Sequence, residues 1–154
     1  MPLQEGHLAP DLKLTTDTGG ELPLASLRGK TVVLYFYPKA DTPGCTTEAC
    51  EFRDSAAHFK SQDAVILGVS PDKPSAQSKF RTKYDLPFTL LCDPDHAAAE
   101  AFGVWVEKSM YGKKYMGVER ATFVISPDGK IAKVFRKVKP AGHAAEVLSA
   151  VAPA

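Results

Sequence analysis

The stretch Tyr35-Phe-Tyr-Pro-Lys-Ala-Asp-Thr-Pro-Gly-Cys-Thr-Thr-Glu-Ala-Cys50 decides how the rest of the chain is read. A run of β-formers, Thr31 to Tyr37, ends in a loop marked by Pro38, Pro43 and Gly44. Pro suits the first helical position and Thr is a good cap, so a helix is predicted to open at Thr42-Pro43. Cys45 then falls in the first helical turn. Unpaired backbone N–H groups and the helix dipole favour an anion there, and so favour a thiolate over a thiol. A second thiol, Cys50, follows five residues later.

The plainer reading of Cys45 is a small buried hydrophobe. It shares an apolar stripe with Ala49, Phe52, Ala56 and Phe59 at helical spacing. The first-turn position, the Pro43-Gly44 before it and the second thiol in the same helix shift the reading toward a reactive cysteine. Cys92 closes an apolar strand before Asp93-Pro94 and reads as a structural thiol. His7, His58, His96 and His143 show no metal-ligand spacing with the cysteines and read as surface residues.

Bulk properties narrow the function classes. With 154 residues, 44% of them hydrophobic, the chain fits one domain, residues 1–154, with a sizeable core. A net charge of +1 gives no electrostatic case for nucleic acid or an anionic membrane as partner. No apolar run approaches the ~20 residues needed to span a bilayer. The first residues lack an apolar signal core, so the expected compartment is the cytoplasm. Three cysteines are too few for a disulfide scaffold, and in a reducing compartment paired thiols are catalytic or metal-binding more often than structural.

Outward from the central stretch, Asp11 to Thr16 alternates, turns at Asp17-Thr-Gly-Gly20 and returns as Glu21-Leu-Pro-Leu, an N-terminal β-hairpin or extended cover. The helix from Pro43 is expected to reach about Lys60. Ala64 to Ser70 reads as a buried parallel strand, Ser75 to Tyr84 as a helix and Phe88 to Cys92 as a short strand. Ala97 to Phe102 is a short helix, and 106–119, rich in Gly, Lys and Tyr, reads as a loop. Two strands flank the turn Ser126-Pro-Asp-Gly129, and Pro140 opens a last helix to about Val151. Parallel strands first and an antiparallel pair last give an α/β, thioredoxin-like fold: a central mixed sheet flanked by helices. A thiol between strand end and helix start suits such a sheet.

At Pro38-x-x-x-Thr42-x-x-Cys45 the chain resembles the peroxiredoxin active-site motif. Thr46-Thr-Glu48-Ala-Cys50 is similar to the bacterioferritin-comigratory-protein/PrxQ branch, with its second cysteine five residues after the first. The resemblance runs on through Gly103-Val-Trp, Met110-Tyr-Gly-Lys, Tyr115-Met-Gly and Arg120-Ala-Thr-Phe-Val-Ile. It implies a peroxidase for hydrogen peroxide and organic hydroperoxides. Cys45 is the implied peroxidatic thiol, passing through a sulfenic acid to a Cys45–Cys50 disulfide. The implied reductant is thioredoxin or a similar dithiol protein. No metal, haem, flavin or other cofactor is implied, and the expected state is a monomer or weak homodimer.

Each role has a plainer counterpart. Thr42 has a hydroxyl for thiolate or peroxide, or is only a cap. Pro38 shields the sulfur from water, or only ends the strand. Arg120 is a surface charge, or beside Cys45 it favours the thiolate and holds peroxide oxygens. Glu48 is an exposed helix residue, or a carboxylate paired with Arg120. Five helical residues separate the Cα atoms of Cys45 and Cys50 by about 8–9 Å, beyond the ~7 Å a disulfide spans. Bonding them requires the first turns, roughly 43–51, to unwind. Two other classes compete. A thioredoxin-like thiol-disulfide oxidoreductase would want two residues between its cysteines, not four. A thioredoxin-fold metal-binding protein would want a matched histidine.

Overall fold

β3 (Thr31–Phe36) lies at the middle of the computed structural model, which describes residues 4–151. Side chains alternate along a strand. Val32, Leu34 and Phe36 therefore enter one core, and Val33, Tyr35 and Tyr37 the other. β3 pairs in parallel with β4 (Ala64–Ser70) and antiparallel with β8 (Ala121–Ile125). β4 pairs in parallel with β5 (Thr89–Cys92), and β8 antiparallel with β9 (Ile131–Phe135). The N-terminal hairpin, β1 (Lys13–Thr16) and β2 (Glu21–Pro23), joins through an antiparallel β1–β5 pairing. The sheet order is thus β2-β1-β5-β4-β3-β8-β9. The hairpin extends the sheet edge.

Four helices supply residues to the core around Val33, Tyr35 and Tyr37. They are α1 (Pro43–Asp54), α2 (Ala56–Ser61), α3 (Pro74–Lys83) and α5 (His143–Val151). A short helix, α4 (Ala97–Ala101), and Phe102 fill the other core. Of the stripe expected in the helix from Pro43, Cys45, Ala49, Phe52 and Phe59 are at most 1% exposed and Ala56 is half-buried. Phe52 stacks on Tyr35 with ring centroids 4.7 Å apart. Burying each such phenylalanine contributes about 1.5–3 kcal/mol. The second half of α1 is therefore anchored whatever its first turns do.

Two expectations change. The helix from Pro43 does not run unbroken to Lys60. Ser55, at φ −99° and ψ 1°, separates α1 from α2, and its N–H is shared between the carbonyls of Glu51 and Phe52. Serine offers the backbone such alternatives, and Phe52 and Phe59 both stay in the core across the break. The segment 106–119 is not a loop but a hairpin, β6 (Trp105–Met110) with β7 (Lys113–Val118). Tyr111 and Gly112 join them, both at positive φ, as a two-residue hairpin turn requires. Among the described residues no helix is long and apolar enough to cross a membrane.

Candidate active site

The loop between β3 and α1 is held from both sides. Tyr37 N–H bonds to the Val69 carbonyl at 3.0 Å, which keeps the strand end in register up to Pro38. Ala40 N–H donates to Asp72 Oδ2 at 2.7 Å. Asp41, at φ +59°, accepts from Lys83 Nζ at 2.9 Å and from the Tyr84 hydroxyl at 2.8 Å. The loop therefore bridges the ends of β4 and α3 before α1 begins. Pro43 takes the first position of α1, and Thr46 N–H closes the first turn onto the Thr42 carbonyl at 2.8 Å. The N–H groups of Gly44 and Cys45 precede any intrahelical acceptor.

Arg120 reaches this turn from the start of β8. Its Nη2 lies 3.3 Å from Cys45 Sγ and its Nη1 lies 2.8 Å from Glu48 Oε1. One planar fork thus spans the thiol and the carboxylate, residues three apart on α1. Cys45 is 1% exposed and Glu48 0%. Burial pushes the Glu48 carboxyl up to about 7, with Arg120 working against the rise. Arg120 loses solvation too, but Glu48 and Cys45 outweigh that and hold its pKa above the usual guanidinium range. A buried sulfur beside a guanidinium and free helix N–H groups is the electropositive setting of a nucleophilic cysteine.

The chain is also similar to known proteins. The AhpC/TSA family profile matches residues 6–134. Over 148 residues the chain is 53% identical to Peroxiredoxin Bcp of Bacillus subtilis (strain 168), covering 96% of this chain and 94% of that one. The chain belongs to the AhpC/TSA family of peroxiredoxins. This peroxiredoxin is also 46% identical to Peroxiredoxin Bcp of Escherichia coli (strain K12), covering 96% and 95% of the two chains. Its fold matches Peroxiredoxin Q of Xanthomonas campestris at a TM-score of 0.90, with 42% identity and 96% of each chain covered. It matches the X. campestris bacterioferritin comigratory protein, studied for its alkyl peroxide reduction activity, at 0.91, with 41% identity over 96% of this chain and 97% of that one. The family makes it a peroxidase, an oxidoreductase that uses a peroxide and a thiol reductant.

The peroxiredoxin's predicted site residues fall into three groups. Cys45, Glu48 and Arg120 are in direct contact. Pro38 and Thr42 stand in the adjoining loop, half-buried. Thr42 has the extended backbone of a cap, but its hydroxyl donates to the Lys39 carbonyl at 2.9 Å and makes no side-chain cap bond. Cys50 is half-buried, five positions along the same continuous helix. Cys92 is buried as expected, and burial pushes its thiol up to about 11. His143 is not a surface residue. It is 2% exposed, lies 2.7 Å from the Thr122 hydroxyl and packs edge-on to Phe52 and Phe135.

Gly44 belongs to the site, where the sequence marks it only as part of the Pro43-Gly44 turn before Cys45. A Cβ there would sit 3.2 Å from Arg120 Nη2 and 3.3 Å from Pro140 Cγ, so the guanidinium approaches over a position with no side chain. A glycine in a first helical turn is itself a signal of close approach. Asp72 and Asp41 carried no sequence signal for this role, because the partners that tie them across the loop are 32 to 43 residues away in the chain.

Glu48 yields a pH prediction. Its folded pKa, about 7, lies above the ordinary 4.5. Its contribution to stability is therefore fully present below about pH 4.5 and is lost as pH rises through about 7. Between those limits the reduced protein should lose on the order of 2–3 kcal/mol relative to Glu48→Gln. Urea unfolding of both proteins at pH 4.5, 6 and 7.5 measures this, and parallel pH dependences would mean that Glu48 does not titrate in that range.

Proposed function

We propose that this peroxiredoxin reduces hydrogen peroxide and organic hydroperoxides through the Cys45 thiolate. The sulfur attacks one peroxide oxygen and the O–O bond breaks. The other oxygen leaves, with a proton, as water or alcohol, and Cys45 becomes a sulfenic acid. Arg120 holds the thiolate and the polarising peroxide. Thr42 offers a hydroxyl to the incoming peroxide, and Pro38 shields the sulfur. The Cys50 thiolate then attacks the sulfenic sulfur. Hydroxide leaves and is protonated to water, and a Cys45–Cys50 disulfide remains. Thioredoxin or a similar dithiol protein reduces it by thiol–disulfide exchange. The protein works as one domain, a cytoplasmic monomer or weak homodimer, without a metal or other cofactor.

The observation that carries this reading is the contact of Arg120 with both Cys45 and Glu48 at a buried helix start. A thioredoxin-like oxidoreductase needs no guanidinium on its thiol, so the contact favours peroxide chemistry. With both cysteines on one continuous helix, resolution requires α1 to unwind from Pro43 to about Glu51. Glycine and the β-branched Thr46 and Thr47 lower the cost, and Phe52 marks where unwinding stops.

Two variants test the assignment. Cys50→Ser should consume about one equivalent of peroxide and then stop with thioredoxin as reductant, a loss of at least ~10²-fold in turnover. Cys92→Ser should turn over as the wild type does, since a thiol held at about 11 is almost wholly protonated near neutral pH. A turnover defect in Cys92→Ser but not in Cys50→Ser would reverse the assignment.

A further inference from the structure

The opening of α1 is limited by whatever holds its first turns closed. Inside the site that hold is the Arg120 fork on Cys45 and Glu48. A second hold lies outside the site, in the segment from Val138 to His143 that leads into α5. Val138 N–H bonds to the Arg120 carbonyl at 3.0 Å, which fixes where the segment starts. At its far end the His143 ring packs edge-on to Phe135 of β9 and Phe52 of α1. Its Nε2 lies 2.7 Å from the Thr122 hydroxyl and its Nδ1 2.9 Å from Glu146 Oε1. Both ends are therefore tied to parts of the fold that stay in place when the first turns of α1 unwind.

Between these ends the segment meets α1 at two further points. Pro140 Cγ lies 3.3 Å from where a Gly44 Cβ would stand. Gly142 N–H donates to Glu51 Oε1 at 2.8 Å. Gly44 and Glu51 are about two helical turns apart and so share one face of α1. The two contacts bracket the turns that have to unwind. The Glu51 contact is also a helix cap. Glu146 N–H bonds to the Gly142 carbonyl at 3.4 Å, so Gly142 is the residue that leads into the first turn of α5. In a capping box a glutamate at the third helical position reaches back to that residue's N–H. α5 has Ala145 there, and Glu51 of α1 supplies the carboxylate from outside. Unpaired N–H groups and the helix dipole favour a carboxylate at this end. Unwinding α1 through Glu51 pulls the carboxylate away and leaves the start of α5 uncapped.

We propose that Glu51 is a positioning residue for the resolving step: bound to Gly142, it clasps α1 to the start of α5, and its release sets how readily the turn carrying Cys45 opens toward Cys50. This rests on the reading of Cys45 and Cys50 as the redox pair. Intrinsic helix preference works in the opposite direction at this position. Alanine forms helix better than glutamate, so an alanine that did no more than join the helix would keep α1 closed. The sign of the effect therefore identifies the clasp.

The test uses Glu51→Ala, Glu51→Lys and Glu51→Gln. Hydrogen exchange is followed first on the reduced proteins, with no peroxide present. The amides of Cys45 to Cys50 should exchange about three- to tenfold faster in Glu51→Ala, the size of losing a cap, while the separate β6–β7 hairpin keeps its rates. Quenched-flow thiol blocking after one equivalent of hydrogen peroxide should then show the Cys45–Cys50 disulfide forming faster by a similar factor. A residue that merely supports the fold would slow that step when removed. Glu51→Lys cannot accept from an N–H and should match alanine, and it replaces alanine as the test should Glu51→Ala not fold. Glu51→Gln keeps an uncharged acceptor and should fall between alanine and the wild type. Unchanged exchange at Cys45 to Cys50 overturns the proposal, and so does disulfide formation that is unchanged or slower in Glu51→Ala and Glu51→Lys. A wild type that forms no Cys45–Cys50 bond refutes the redox pairing instead, and the exchange of the reduced proteins then decides on the clasp alone.

Discussion

Cys45→Ser should show no peroxide consumption above the protein-free control, with any reductant, a loss of more than about 10³-fold, or ~4 kcal/mol of barrier. The serine oxygen would occupy the same buried position at the start of α1, next to the same Arg120 fork. What changes is the nucleophile. A thiol can be drawn to its anion near neutral pH by a guanidinium and a helix start, and a hydroxyl cannot. No other thiol is placed to substitute. Arg120 hydrogen-bonds Cys45 and Glu48 and, among the described residues, not Cys50, and burial holds Cys92 protonated. Turnover retained in this variant would move the chemistry away from the β3–α1 loop altogether.

Arg120→Ala should lower the second-order rate constant with hydrogen peroxide by about 10²–10³-fold, the scale of losing one charged donor at a developing anion. The variant should still fold. Removing the guanidinium leaves Glu48 buried and unpaired, but a carboxyl already raised to about 7 can take up a proton instead of unfolding the site. Arg120→Lys should recover only a small part of the rate. One ammonium cannot span Glu48 Oε1 and Cys45 Sγ as the two guanidinium nitrogens do at 2.8 and 3.3 Å. Thr42→Val should slow the same step by less, since the Thr42 hydroxyl is engaged with the Lys39 carbonyl in the resting protein. Stopped-flow rates with peroxide measure all three, and an unchanged rate in Arg120→Ala would remove the guanidinium from the mechanism.

The parts legible in the sequence were those whose signals are local and periodic. The run Thr31–Tyr37, the punctuation at Thr42-Pro43 and the spacing of Cys45, Ala49, Phe52 and Phe59 placed β3, the start of α1 and the buried thiol correctly. Contacts between distant segments were not legible without the family resemblance. Arg120 is 75 residues from Cys45 in sequence, and nothing in the residues around it says that it turns inward. Glu48 looked as much like an exposed helix residue as a buried one, because only the guanidinium makes its burial tolerable. The β6–β7 hairpin was missed for a different reason. Charged residues stand in pairs, Glu107-Lys108 and Lys113-Lys114, and β7 is mostly exposed, so the strands lack the apolar alternation by which a strand is recognised. His143 was misplaced because helix α5 buries its first residue against Phe52 and Phe135, a packing fact with no sequence signature.

The most direct measurement is a mass-spectrometric map of the three thiols after the reduced wild-type protein meets one equivalent of hydrogen peroxide, quenched with a thiol-blocking reagent. A disulfide joining Cys45 to Cys50, with Cys92 recovered as the blocked free thiol, is the predicted result. A bond between Cys45 and Cys92, or oxidation of Cys92 with Cys45 intact, would contradict it.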